Sequence, residues 1–130
     1  MPSPCATASA SRTAAAWLAA SFPGRFTLVA GDTTQTLQSG SPALEGLPRC
    51  DVVSIDGGHH YAVASSDLQK MSSLVSKRHA LVMDDLRCGH HWCKAPTLAW
   101  RDAQRAGLVR EAGCHILSCC VGWCWGRFGK

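Results

Sequence analysis

Apolar residues fall along this chain in short continuous runs separated by stretches of helical spacing. The clearest run opens at Cys50-Asp51, continues through Val52-Val53-Ser54-Ile55 and stops at Asp56-Gly57-Gly58-His59-His60. It predicts a short buried strand ending in a polar turn. From Ala62 to Lys77, residues Ala64, Leu68, Met71, Leu74 and Val75 recur at three- and four-residue intervals, the pattern of an amphipathic helix. Ala80-Leu81-Val82-Met83 then forms a second apolar run that ends in Asp84-Asp85. A helical crossover between two apolar strands implies parallel, right-handed pairing, so both strands finish on one edge of the sheet. Asp56, His59, His60, Asp84 and Asp85 should therefore gather beyond the strands' carboxyl ends, where open α/β sheets place their ligands.

Further elements flank this unit. Residues 1–12 are small and polar, carry no packing signal and are expected to be disordered, leaving residues 13–130 as the folded part. Thr13 to Phe22 predicts a helix, ended by Pro23-Gly24. Arg25 to Ala30 (RFTLVA) is rich in β-formers and predicts a strand, followed at its carboxyl end by Gly31-Asp32-Thr33-Thr34. Residues 38–49 read as a Gly/Pro/Ser connection, and Thr97 to Ala106 as a helix stopped by Gly107. The end, CHILSCCVGWCWGRF, alternates weakly and suggests two short strands or a hairpin.

Length and charge narrow the class. A chain of 130 residues is one domain with room for a core. Its net charge of +4 is spread over scattered Lys and Arg, which argues against a nucleic-acid stripe, and no apolar stretch is long enough to cross a bilayer. Eight cysteines fall short of a disulfide scaffold, and no secretory signal accompanies them, so thiols in a reducing, cytoplasmic setting are expected. The absence of acidic residues before Asp32 also matches the composition of an organelle transit segment.

RFTLVAGDT, CDVVSIDGGHHYAVASSDL, the strand ending in MDD, WCKAPTLAW and the late GWCWGRF together resemble the later two-thirds of class I S-adenosylmethionine-dependent methyltransferases. The likeness is to a small-molecule branch with an IDG-x-H-x-Y turn after its fourth strand. The resemblance implies a Rossmann-like three-layer α/β sandwich with a mostly parallel sheet and a C-terminal antiparallel hairpin. RFTLVA would be its third strand, CDVVSID its fourth and ALVMDD its fifth. It also implies cofactor contacts at Gly31, Asp32, Thr33 and Asp56, with Asp32 near the adenine. A divalent metal such as magnesium would sit on Asp56, Asp84 and Asp85, an all-oxygen set of the kind hard cations prefer. His59 or His60 would act as general base on a small-molecule acceptor, plausibly at oxygen.

The chain departs from that family before Phe26, where no G-x-G and no acidic residue precede it. The family's first two strands are thus expected to be missing. RFTLVA would then close against the fourth strand, borrow a partner or leave the chain poorly folded. Plainer roles compete for each site residue: Asp32, Asp56, Asp84 and Asp85 also suit turns and helix caps, Asp67 suits a helix position facing solvent or the neighbouring loop, and Trp92 and Trp100 suit packing. Two other functional classes stand beside the enzyme. Cys88, His90, His91 and Cys93, with Cys114, His115, Cys119, Cys120 and Cys124 beyond, offer a zinc-stapled binding module. A non-catalytic remnant of the methyltransferase fold is the third reading.

Overall fold

The computed structural model describes residues 4–117 and 119–129, with side chains from Arg12 onward. The chain divides into two compact units, Met1–Gly31 and Asp32–Lys130. The first is helix α1 (Pro4–Ser21), whose backbone runs through part of the stretch expected to be disordered. Phe22 N donates to Leu18 O and Arg25 N to Phe22 O as the helix closes, with Gly24 at φ 71°. Residues 26–30 follow without any strand ladder, and Leu28 and Val29 are exposed. The strand predicted over 25–30 is therefore not formed. β propensity expresses a fit to a pleated, partnered surface, and without ladder bonds it makes no strand.

The second unit holds the sheet. Asp32 caps a single helical turn, α2 (Thr33–Thr36), and a 3-10 turn at Pro42–Leu44 leads into strand β1 (Cys50–Ile55). Helix α3 (Tyr61–Met71) crosses to strand β2 (Val75–Met83), and β1 and β2 pair in parallel, with Val53 opposite Leu81 and Ile55 opposite Met83. The expected strand, helix, strand unit is present, but its helix stops at Met71 rather than Lys77. Ser72 and Ser73 turn their hydroxyls back onto Gln69 O and Lys70 O, and Val75 then enters the sheet opposite Cys50. Leu74 and Val75 continue the helical spacing only by coincidence of period.

Helix α4 (Lys94–Arg105) follows a 3-10 turn at His91–Cys93 and ends with Gly107 at φ 73°. Strands β3 (Val109–Ile116) and β4 (Gly122–Phe128) form an antiparallel hairpin, and β4 inserts beside β2 to give the order β1-β2-β4-β3. The terminal hairpin agrees with the sequence reading. A mostly parallel sheet does not: β1–β2 is the parallel pairing among three, because residues 25–30 add no strand to it.

The core lies between the sheet and helices α3 and α4. Val53, Ile55, Leu81 and Met83 from β1 and β2 meet Ala64 and Leu68 of α3, and Ala99, Trp100 and Ala103 of α4 extend the cluster to Val109 and Phe128. Each fully buried leucine contributes about 1.5–3 kcal/mol through removal of its surface from water. Alternate sheet residues point the other way, and Val52, Ile116 and Trp125 are exposed. Disulfides join Cys88 to Cys93 and Cys114 to Cys124, where the sequence reading expected thiols. Among the described residues no helix is long and apolar enough to cross a membrane.

Candidate active site

The two parallel strands end side by side because Asp84 N donates to Ile55 O at 3.0 Å. Beyond that bond, Asp56, Gly57 and Gly58 leave β1, while Asp84 and Asp85 leave β2. Asp85 and Arg87 take left-handed backbones, at φ 56° and 58°. Such conformations cost free energy in residues other than glycine and persist where the surroundings over-determine them. Here Leu86, between them, is fully buried with its N–H on Gly122 O, and Arg87 is anchored by its N–H on Thr97 Oγ1 and its guanidinium on Glu111 Oε2. The turn that aims Asp85 is thus held by a buried leucine and a tethered arginine.

Asp56, His59, Asp67, Asp84 and Asp85 line one small cavity, walled by Gly57, Gly58, Ala64 and Pro96. His59 Nε2 lies 2.6 Å from Asp85 Oδ2, and Asp84 Oδ1 accepts from Asp85 N at 2.9 Å. The structure therefore brings together four of the five residues expected at the strand ends. His60 is the exception. It occupies the cap position of α3, is exposed and does not line the cavity.

Asp32 accepts at Oδ1 from both Thr34 N (2.8 Å) and Thr34 Oγ1 (2.7 Å). The hydroxyl bond, then the amide bond, hold its carboxyl below the usual carboxylate range. Lys70 Nζ of α3 donates to Thr34 O and ties this turn to the crossover helix. Thr33 and Asp56 line a second cavity, of about 290 Å³, together with Ser54, Asp67 and Met71. Gly31 closes the first unit, with φ 142°.

Asp67, expected to face solvent or the neighbouring loop, is 4% exposed, and its Oδ1 has no hydrogen-bond partner among the described residues. The signal was available: Asp67 stands three residues after Ala64 and four before Met71, on the stripe that packs inward. Trp100, by contrast, is the packing residue expected, 1% exposed, with Nε1 donating to Glu111 Oε2 at 2.6 Å.

The donors around the first cavity are oxygens, apart from the His59 ring, and its water-accessible space is about 10 Å³, enough for about one water-sized particle. In kind and size the residues fit a small hard cation, and the orphaned Asp67 oxygen points the same way. Among the described residues, however, the group of three or more candidate ligands with donor atoms within 4.8 Å of one another is Glu111, Cys114 and Cys124. Asp56, Asp84 and Asp85 thus share a cavity without their oxygens closing to that spacing. Cys114 and Cys124 are bonded to each other, as are Cys88 and Cys93, so in this form neither pair offers a thiolate to zinc.

A family model described as a methyltransferase domain matches residues 3–86, more than half of the chain and all of the strand, helix, strand unit through Asp84-Asp85. The chain belongs to this methyltransferase family. Comparisons with curated proteins and with solved structures return no match.

Proposed function

We propose that this chain is an S-adenosylmethionine-dependent methyltransferase acting on an oxygen of a small molecule, with its chemistry at the carboxyl edge of β1 and β2. The observation that carries the reading is the convergence of Asp56, His59, Asp84 and Asp85 on one cavity in a chain of this family. The three-layer Rossmann-like outline belongs to the same proposal. So do cofactor contacts at Gly31, Asp32, Thr33 and Asp56, supported by the cavity that Thr33 and Asp56 share. S-adenosylmethionine supplies the methyl group on a sulfonium, and a divalent cation such as magnesium on Asp56, Asp84 and Asp85 would acidify the acceptor hydroxyl.

The protein's own groups then have defined tasks. Asp85 holds the His59 ring through Nε2, which places the proton on that nitrogen and leaves Nδ1 as the lone-pair atom that takes the acceptor's proton. His60, exposed beside it, is the alternative base. Asp84 keeps Oδ2 for a ligand while Oδ1 secures the Asp85 amide. Alignment of acceptor and methyl group supplies much of the rate. The scattered basic residues support a small-molecule acceptor over a nucleic acid.

Calorimetric titration of the purified chain with S-adenosylhomocysteine, with and without magnesium, tests this. Saturable binding that Asp32→Ala weakens is the expected result. A folded sample that releases no binding heat would overturn the enzymatic reading and leave a non-catalytic remnant of the fold.

A further inference from the structure

Strand β3 carries a bulge with a chemical consequence. Glu111 pairs with Gly126 and Gly113 with Trp125, so β3 inserts one extra residue, Ala112, between two consecutive positions of β4. In a regular strand Glu111 and Cys114, three residues apart, point to opposite faces of the sheet. The extra residue shifts the alternation by one and brings both to the face that packs on α4, where Cys124 is buried and Glu111 meets Trp100. Position 126, opposite Glu111, needs glycine, because a Cβ there would run into Arg110 O.

The bulge makes donor atoms converge. A carboxylate oxygen of Glu111 and the sulfurs of Cys114 and Cys124 all lie within 4.8 Å of one another. Donors bound at about 2.0–2.3 Å to a tetrahedral zinc stand about 3.3–3.8 Å apart, a spacing this cluster reaches by side-chain rotation. Glu111 is already held in place: Oε2 accepts from Trp100 Nε1 at 2.6 Å and from the Arg87 guanidinium at 2.7 Å, which leaves Oε1 for a ligand. Partners of this kind orient a metal-binding carboxylate. Two thiolates and one carboxylate on a divalent ion sum to a single negative charge, and Arg87 balances it.

Cys114 and Cys124 share a disulfide here, so the bond and an ion exclude each other. We propose that Glu111, Cys114 and Cys124 form a redox-gated zinc site on the β3–β4 hairpin. A dithiol reductant converts the disulfide to two thiols and leaves as its own disulfide. Zinc then takes both sulfurs as thiolates, displacing their two protons to solvent, with Glu111 as third ligand and water as fourth. The ion takes over from the covalent bond in tying β3 to β4. Thiolate ligands select zinc over the hard cations that all-oxygen sets prefer. The site shares no residue with the strand-end cavity and does not depend on the methyl-transfer reading.

Cobalt is the probe, because thiolate ligation gives it charge-transfer absorption. The whole chain, reduced with a dithiol and desalted without air, should bind one cobalt with those bands and release it to zinc, while the oxidised chain shows none. Bands should survive in the double variants Cys88→Ser/Cys93→Ser and Cys119→Ser/Cys120→Ser and vanish in Cys114→Ser/Cys124→Ser. Glu111→Gln, which leaves both sulfurs in place, should raise the cobalt dissociation constant about 10-fold or more, the scale on which loss of a group supporting a metal site is felt. Zinc should also raise the unfolding temperature of the reduced chain and leave that of the oxidised chain unchanged.

A folded, reduced chain without bands overturns the proposal, and so do bands that persist without Cys114 and Cys124. Unchanged cobalt affinity in Glu111→Gln removes the third ligand and with it the site described. A reduced chain that is unfolded and stays so when zinc is added overturns it equally, since the ion would then not replace the bond.

Discussion

Tyr61 opens α3 with its hydroxyl donating to Asp102 Oδ2 of α4 at 3.0 Å. That bond to a carboxylate, with burial and the Asp102 charge behind it, raises the phenol above its ordinary value of 10.0. A tyrosine raised in the folded state lends stability that is fully present below its unfolded value and is lost as pH climbs through the folded one. The chain has one tyrosine, so absorbance titration reads it without ambiguity. Its midpoint should lie above that of the unfolded chain, and Asp102→Asn should bring it back towards the ordinary value. An unchanged midpoint in that variant would remove the bond from the account. Nothing in the sequence pairs positions 61 and 102, because the contact is made by the packing of two helices. Asp56 and the Asp84-Asp85 pair were legible for the opposite reason: each stands at the end of an apolar run, and parallel pairing alone carries the two ends to one edge.

Helix α3 is fastened by Ala64 and Leu68, which face Val53, Ile55, Leu81 and Met83. Leu68 is fully buried, so Leu68→Ala should cost about 2–5 kcal/mol in urea or thermal unfolding, lost transfer energy and the cavity both contributing. Val52→Ala, on the exposed side of β1, should fall within about 0.5 kcal/mol of the parent. Equal losses at the two positions would mean that the exposed face of β1 is covered in solution. At this scale the sequence marked each buried run and α4, but misplaced the end of α3. Ser72 and Ser73 end the helix through their own backbone bonds, and the spacing of Leu74 and Val75 carries no trace of that. The disulfides were likewise invisible, since cysteine spacing does not say which residues the fold will bring side by side.

For the molecule as a whole, the consequential feature is that β1 closes one edge of the sheet with Val52 68% exposed. An unpartnered apolar edge is a template for pairing with another chain. The apparent mass from light scattering should therefore rise with protein concentration, and Val52→Lys should hold it at that of a single chain without lowering the unfolding temperature; an apparent mass that ignores this change would place the contact elsewhere. Hydrophobic period and chain connectivity are enough to dictate the crossover unit, the polar turns at its strand ends and the terminal hairpin. Three outcomes are set by packing alone: residues 25–30 form no strand, β4 rather than β3 lies beside β2, and Asp67 lines the acidic cavity. Those outcomes depend on which surfaces meet, and local pattern fixes a residue's face but not what stands opposite it.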